Sequence, residues 1–408
     1  MNDPQQQHNP MRGRLHQLDS LRGLAALSVM LSHVFLVFPQ VWDTRSPEQA
    51  SMFIKLFMFS PLRVVWAGHE AVIFFFILSG FVLALLFFGN SEPQPYRLYL
   101  TKRILRIYPP YLAAALLAIG LRELIFIGSV PHVSGWFNQS WQSSATVGTI
   151  MDHILMVGSF NNCAFNPVLW SLVHEMRISI VFPLIIWVLV RHEKLSLILP
   201  AAFTSVYWLS ITLKFRGVIA FEHDYFATLH YAGFFIVGAW LSKHRLCLIS
   251  AATRIHKWGK WLILCGAIGA YSNAFWLPHY GTPQTGLLAL LLQKSWFQEW
   301  ITALGVIVII VLSLSSKALS SALAFKPLQF LGSISYSLYL FHALVLKVLV
   351  TLLSPIMPLP LLLSISIVCA LLVSTLSWRY IEIPCIELSK FVTKRWLQKT
   401  TRAKCQTL

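Results

Sequence analysis

Arg22 and His33 lie eleven residues apart on one apolar stretch, LDSLRGLAALSVMLSHVFLVF, residues 18–38. At about 100° per residue they differ by roughly 20° around a helix, so they share a face, about 16 Å apart along the axis. A histidine that deep in an apolar run is either hydrogen-bonded to a neighbouring helix or placed for proton transfer near neutral pH. An arginine near the helix end either snorkels to the membrane interface or meets an anion.

Other polar groups recur where an apolar chain should avoid them. In YRLYLTKRILRIYPPY, Arg103 and Arg106 stand at i and i+3, two guanidinium forks on one face, suited to a phosphate or diphosphate. In PVLWSLVHEMRISIVFP, Ser171 and Glu175 stand at i and i+4, flanked by Trp170 and His174. A carboxylate there is neutral, paired with Arg177, or matched to another cation or a histidine. At about 10 Å below the outer surface it matches His33 in depth, which makes His33 its expected partner. LGSISYSLYLFHALVLK places Ser335, Tyr339 and His342 on one face with Tyr336 beside them, and WRYIEIP sets Arg379 three residues before Glu382, the spacing of an interfacial salt bridge. Ionisable groups inside a bilayer are costly and usually face a cavity or each other. Converging, they make a site: His33 and Glu175 for chemistry, Arg22, Arg103 and Arg106 for an anionic donor, and Ser171, Ser335, Tyr336, Tyr339, His342, Arg379 and Glu382 in support. No metal-ligand spacing is present.

The elements that must position these groups follow from composition. The 408 residues are 56% hydrophobic and 12% charged, with mean hydropathy +0.66. Soluble domains carry roughly twice that charged fraction. The sequence predicts an all-α polytopic membrane bundle of about ten helices without a soluble domain, over about 20–39, 66–89, 107–128, 168–190, 195–212, 226–242, 258–277, 299–316, 333–352 and 359–381. A polar N-terminal segment (1–17) precedes the membrane domain (18–384), and a basic tail (385–408) follows it. No small-residue cleavage site follows the first run, so it reads as a retained helix rather than a signal peptide.

A net charge of +17 in a soluble protein would suggest nucleic acid. Here most Lys and Arg fall on one side of the predicted bundle, including Arg97, Lys102, Arg103 and Arg106, Arg191 and Lys194, Lys243 and Arg245, and the tail Lys390, Lys394, Arg395, Lys399, Arg402 and Lys404. That bias places both termini in the cytoplasm, and no nucleic-acid partner is needed. Six cysteines form no paired motif. The longest predicted outer stretches are about 40–65, 129–167 and 278–298; the second lacks Lys and Arg, and its apolar half is expected to lie at the interface or re-enter.

These residues, in this order, resemble acyltransferase family 3, polytopic enzymes that acylate bacterial surface glycans and other extracytoplasmic acceptors. LDSLRGLAALSVMLSH matches the family's Arg-x10-His signature through Arg22 and His33. GHEAVIFFFILSGFVLA resembles its second-helix motif, RILRIYPPY its Arg-x-x-Arg and Tyr-Pro pattern, and LWSLVHE its Trp-Ser-Leu-x-x-Glu. ISYSLYLFH resembles its Ser-Tyr-x-x-Tyr-Leu-x-His and RYIEIP its closing Ile-Glu-x-Pro. The resemblance spans residues 18–384; Ala71, His174 and Cys385 depart from the pattern. It implies transfer of an acyl group, acetyl before others, from a cytoplasmic acyl-CoA to a hydroxyl of an extracytoplasmic glycan or glycolipid, in a bacterial inner membrane. Acyl-CoA is then a co-substrate and no cofactor is permanently bound, and His33 is either the general base toward the acceptor hydroxyl or a covalent carrier of the acyl group. Many relatives carry a fused outer hydrolase-like domain; 408 residues leave no room for it, so transfer by the membrane domain alone or with a separate extracytoplasmic partner is expected. A proton-coupled transporter using intramembrane His and Glu is the alternative, but paired half-helices and internal symmetry are not seen. Deleting the gene separates the two, since only the acyltransferase reading predicts loss of O-acyl groups from a surface glycan.

Overall fold

The computed structural model describes residues 15–44, 46–88, 95–215, 224–280, 291 and 294–406. Most of the polar N-terminal segment and most of the stretch 278–298 lie outside the described residues. Among the described residues eleven longer helices carry the architecture: α1 (His16–Leu36), α2 (Gly68–Phe88), α3 (Tyr96–Ile125), α4 (Leu169–Arg191), α5 (Leu195–Phe215), α6 (Asp224–Thr253), α7 (Lys257–Tyr271), α8 (Ser295–Ser315), α9 (Lys326–Leu353), α10 (Leu359–Ser377) and α11 (Ile383–Gln406). No strand occurs among the described residues.

Nine helical stretches among the described residues are long and apolar enough to cross a membrane, with α10 and α11 joined in one of them. The chain is an integral membrane protein. The seventh predicted stretch, 258–277, is instead split: α7 ends at Tyr271, Ser272 intervenes, and a short helix Asn273–Tyr280 continues. The bundle wears its apolar residues outside. Leu184, Trp187, Leu197, Leu304, Leu372 and Leu376 are all exposed, as a lipid-facing surface requires.

Without a hydrophobic drive between helices in lipid, close packing decides which pair, and small residues allow it. Gly80 of α2 and Gly238 of α6 face each other's helices; a Cβ on Gly80 would collide with the Phe235 backbone, and one on Gly238 with Ile77 O. Gly23 of α1 and Gly332 of α9 likewise bring those backbones together. The two contacts clamp α1, α2, α6 and α9 around the centre of the molecule.

Helix α3 starts at Tyr96, well before the apolar run, so Arg97, Lys102, Arg103 and Arg106 belong to one continuous helix rather than a loop. Pro109 and Pro110 lie inside it and remove the amides that would serve the Leu105 and Arg106 carbonyls. Just beyond, the Tyr336 hydroxyl donates to Ile107 O at 2.8 Å, tying α9 to this weakened turn. The stretch 129–167 folds back on the bundle through two short helices, Gly135–Gln139 and Val147–Leu155. Val147, Met151 and Leu155 form an exposed apolar stripe on the latter, in keeping with an interfacial element.

Candidate active site

Arg22, early in α1, Arg103 and Arg106, early in α3, and the start of α11 gather at one end of the bundle. His33, in the last turn of α1, lies toward the other end, beneath the stretch 129–167. Between them runs a cavity of about 660 Å³. Its walls include Arg22, Arg103, Arg106, Glu175, Ser171, Ser335, Tyr336 and Tyr339, so eight of the expected site residues meet there, together with Lys102, Ser79, Lys390 and Lys394. The rest of the lining is largely apolar, with Val72, Phe75, Phe76, Leu78 and Val82 from α2. A more polar side chamber of about 370 Å³ shares Arg22, Arg106, Ile386 and Lys390 with it and adds Asp19, Trp378, Glu382 and Glu387.

Glu175 does not partner His33. Its Oε1 accepts from Arg103 Nη2 at 2.8 Å and from Ser79 Oγ at 3.0 Å. Arg103 also donates to Ser179 Oγ from Nε and Nη2. The expectation from depth along α4 fails because the long Arg103 side chain reaches Glu175 across the α3–α4 contact. The expected arginine pair is therefore unequal. Arg103 is committed to Glu175 and Ser179, whereas Arg106 makes no hydrogen bond among the described residues and faces the open cavity. Nor does Glu175 pair with Arg177, which binds Asp224 at 2.5 Å and Thr228 at 3.0 Å.

His33 meets His342 instead. His33 Nδ1 and His342 Nε2 are 2.9 Å apart, and His342 Nδ1 lies 2.7 Å from Leu338 O. A carbonyl only accepts, so His342 Nδ1 carries the proton and, in the neutral ring, its Nε2 accepts from His33 Nδ1–H. His33 Nε2 is left with a bare lone pair. Trp136, from the short helix Gly135–Gln139, packs against the same imidazole at 4.9 Å between ring centroids. That helix is pinned by Ser134 to Leu36 and Val37 at the end of α1. The carbonyls of Phe137, within that helix, and Ser140, just after it, accept from the buried Lys347 Nζ.

The cavity stops one side chain short of this histidine pair. Tyr339 lines it, with its ring 6.4 Å from that of His342 and 5.7 Å from that of Phe75. The Tyr339 hydroxyl shares a 2.5 Å hydrogen bond with Ser171 Oγ, and both lie within reach of Val168 O. So Arg22 lines the cavity and His33 does not; Tyr339 stands between the cavity and the histidine pair.

The remaining supporting residues are mostly occupied. Ser335 Oγ donates to Gly332 O, and Tyr336 to Ile107 O. Arg379 and Glu382 form no salt bridge. Residues Trp378–Glu382 adopt a π-helical turn, whose wider winding rotates the pair apart. Glu382 is buried and accepts from Ser337 Oγ at 3.0 Å, while Arg379 is exposed.

Several residues were not legible in advance. Lys390 and Lys394 read as a topological tail, yet they line the cavity. Ser179 and Trp136 complete the two centres, beside Ser79 of the second-helix motif. A further network lies across α4: His69 Nε2 and His230 Nε2 donate to the two oxygens of Glu299 at 2.6 and 2.5 Å, and His230 Nδ1 meets Thr204 Oγ1 at 3.0 Å. Spacing offered no signal, since these residues come from four separate helices. Among the described residues, no group of three or more His, Cys, Asp or Glu side chains is placed to hold a metal ion.

A family model described as an acyltransferase domain matches residues 15–379, nearly the whole chain. No curated protein and no solved structure matches. The match takes in α1 through α10, with Arg22, His33, Arg103, Arg106, Glu175, Tyr339 and His342 inside it. The chain belongs to acyltransferase family 3 and is a membrane acyltransferase.

Proposed function

We propose that this acyltransferase moves an acetyl or other short acyl group from a cytoplasmic acyl-CoA to a hydroxyl of an extracytoplasmic glycan or glycolipid. The observation that carries the reading is the cavity, basic at one end and closed at the other by Tyr339, one ring from the His33–His342 pair. Its volume, about 660 Å³, lies in the range of small-molecule sites. Arg22 and Arg106 hold the diphosphate at the mouth. The apolar wall from α2 accommodates the uncharged arm, and the thioester reaches toward Tyr339.

In this reading His33 Nε2 takes the proton of the acceptor hydroxyl as its oxygen attacks the thioester carbonyl. The C–O bond forms, the C–S bond breaks, and the proton passes from His33 to the departing thiolate. His342 holds the His33 ring in the tautomer that leaves Nε2 bare, and whichever hydroxyl of Tyr339 and Ser171 donates to Val168 O can exchange that bond for one to the carbonyl oxygen. Glu175 fixes Arg103 and so shapes the cavity. The orientation follows from the charge bias, with the basic end and both termini cytoplasmic, and the family resemblance implies a bacterial inner membrane. The test is the O-acyl content of surface glycans in cells with and without the gene, restored by the wild-type chain but not by a stably inserted His33→Gln. Unchanged O-acylation after deletion contradicts the proposal, and net substrate uptake by purified protein would favour a transporter instead.

A further inference from the structure

Helix α11 turns an unexpected side toward the cavity. Ile386, Ser389, Lys390, Thr393 and Lys394 line it, at the i, i+3, i+4, i+7 and i+8 positions of one helix face. Leu388 and Phe391 point the other way and are exposed, with the Arg395 guanidinium laid over the Phe391 ring at 4.5 Å. Topology alone accounts for cations at this end of the bundle, since cytoplasmic segments attract Lys and Arg. It does not account for two lysines facing inward while the apolar side faces out.

Those lysines form a second tier of charge. The first tier, Arg22 and Arg106, sits where the cavity and the side chamber meet. Lys390 borders both chambers, and Lys394, one turn further along, borders the main one. Arg103 adds little to either tier, because Glu175 and Ser179 occupy it. One diphosphate satisfies Arg22 and Arg106. A further pair of ammonium groups spaced one turn away suits a separate monoester phosphate, as point charges suit a freely rotating dianion.

We propose that Lys390 and Lys394 recognise a second phosphate on the nucleotide half of the donor, so that the site selects a 3′-phosphorylated nucleoside diphosphate thioester over its dephosphorylated form. The proposal rests on the acyl-CoA reading above and adds the residues and the donor feature that they discriminate. It also makes α11 part of the site rather than an appendage to it.

The experiment uses the full chain in nanodiscs of zwitterionic phosphatidylcholine and measures the affinity for CoA and for 3′-dephospho-CoA. The wild type is expected to bind CoA about tenfold more tightly, equivalent to about 1.4 kcal/mol. Lys390→Ala/Lys394→Ala should bind both compounds alike, with the dephospho affinity held near wild type, which also shows that the variant is folded. Arg395→Ala, which removes a charge from the outer side of the same helix, should keep the preference. Equal affinities in the wild type overturn the inference and leave the donor reading intact. So does a double variant that weakens both compounds by the same factor, since that is general attraction rather than recognition. Loss of the preference on adding anionic lipid would assign the lysines to a headgroup and also overturn it. Binding of neither compound overturns the donor reading and this inference together.

Discussion

Replacing His342 tests whether the histidine pair works as a donor–acceptor couple. His33 Nδ1–H donates to His342 Nε2 at 2.9 Å, with His342 itself nearly buried. Removing the acceptor leaves an N–H without its partner, at a cost of about 1–3 kcal/mol. If that cost falls on the transition state, where the His33 ring carries positive charge, the rate drops by about 5- to 160-fold. His342→Leu should show this loss. His342→Gln places an amide oxygen near the original Nε2 position and should recover most of the rate. The assay is release of free CoA thiol dependent on added acceptor, with purified protein and with donor affinity measured in parallel. Donor affinity should be unchanged in both variants, because His342 lies beyond Tyr339 from the cavity. Equal rates for the Leu and Gln variants would refute the reasoning, as would a His342→Leu enzyme of wild-type activity.

Other expectations follow from the packing and the charges. Gly80→Val drives a side chain into the Phe235 backbone, so the protein should fail to accumulate, as membrane-fraction immunoblots would show. Arg103→Ala leaves Glu175 without its cation; breaking a fully buried pair costs about 3–5 kcal/mol, and this partly exposed one should cost less, read as a lowered Tm that Arg103→Ala/Glu175→Gln partly restores. Lys347→Met removes the donor to Phe137 O and Ser140 O, loosening the helix that carries Trp136. Acceptor-dependent turnover should fall while CoA binding stays as in the wild type. Without acceptor, rapid mixing with acyl-CoA should give no burst of free thiol if His33 acts as a base; a stoichiometric burst would make it an acyl carrier instead.

The all-α membrane fold was legible because apolar runs long enough to span are a one-dimensional signal, and charge bias is another. The polar stripes of α1 and α9 were legible for the same reason: residues such as Ser335 and Tyr339 share a face at any depth. What failed was pairing between helices. Glu175 looked level with His33, but a side chain as long as that of Arg103 bridges a full turn, so depth along one helix does not choose the partner. The Arg379–Glu382 pair assumed α-helical winding, and the π turn at Trp378–Glu382 breaks that assumption. His342 appeared as one polar residue among several, because the hydrogen bond that fixes the His33 tautomer joins residues 309 positions apart. The inward face of α11 was hidden by a positive-inside count, which records where charges lie but not which way they point.

The central claim is that His33 performs the chemistry at the far side of a donor cavity it does not line. The most direct measurement compares single-turnover acyl transfer and CoA affinity in His33→Gln, a substitution that keeps hydrogen-bonding capacity but lacks a base. General base catalysis contributes about 10²- to 10⁴-fold, so transfer should fall by that factor while CoA binds as in the wild type and the protein accumulates normally. Transfer within a fewfold of wild type, in protein of unchanged abundance and donor affinity, would contradict the account.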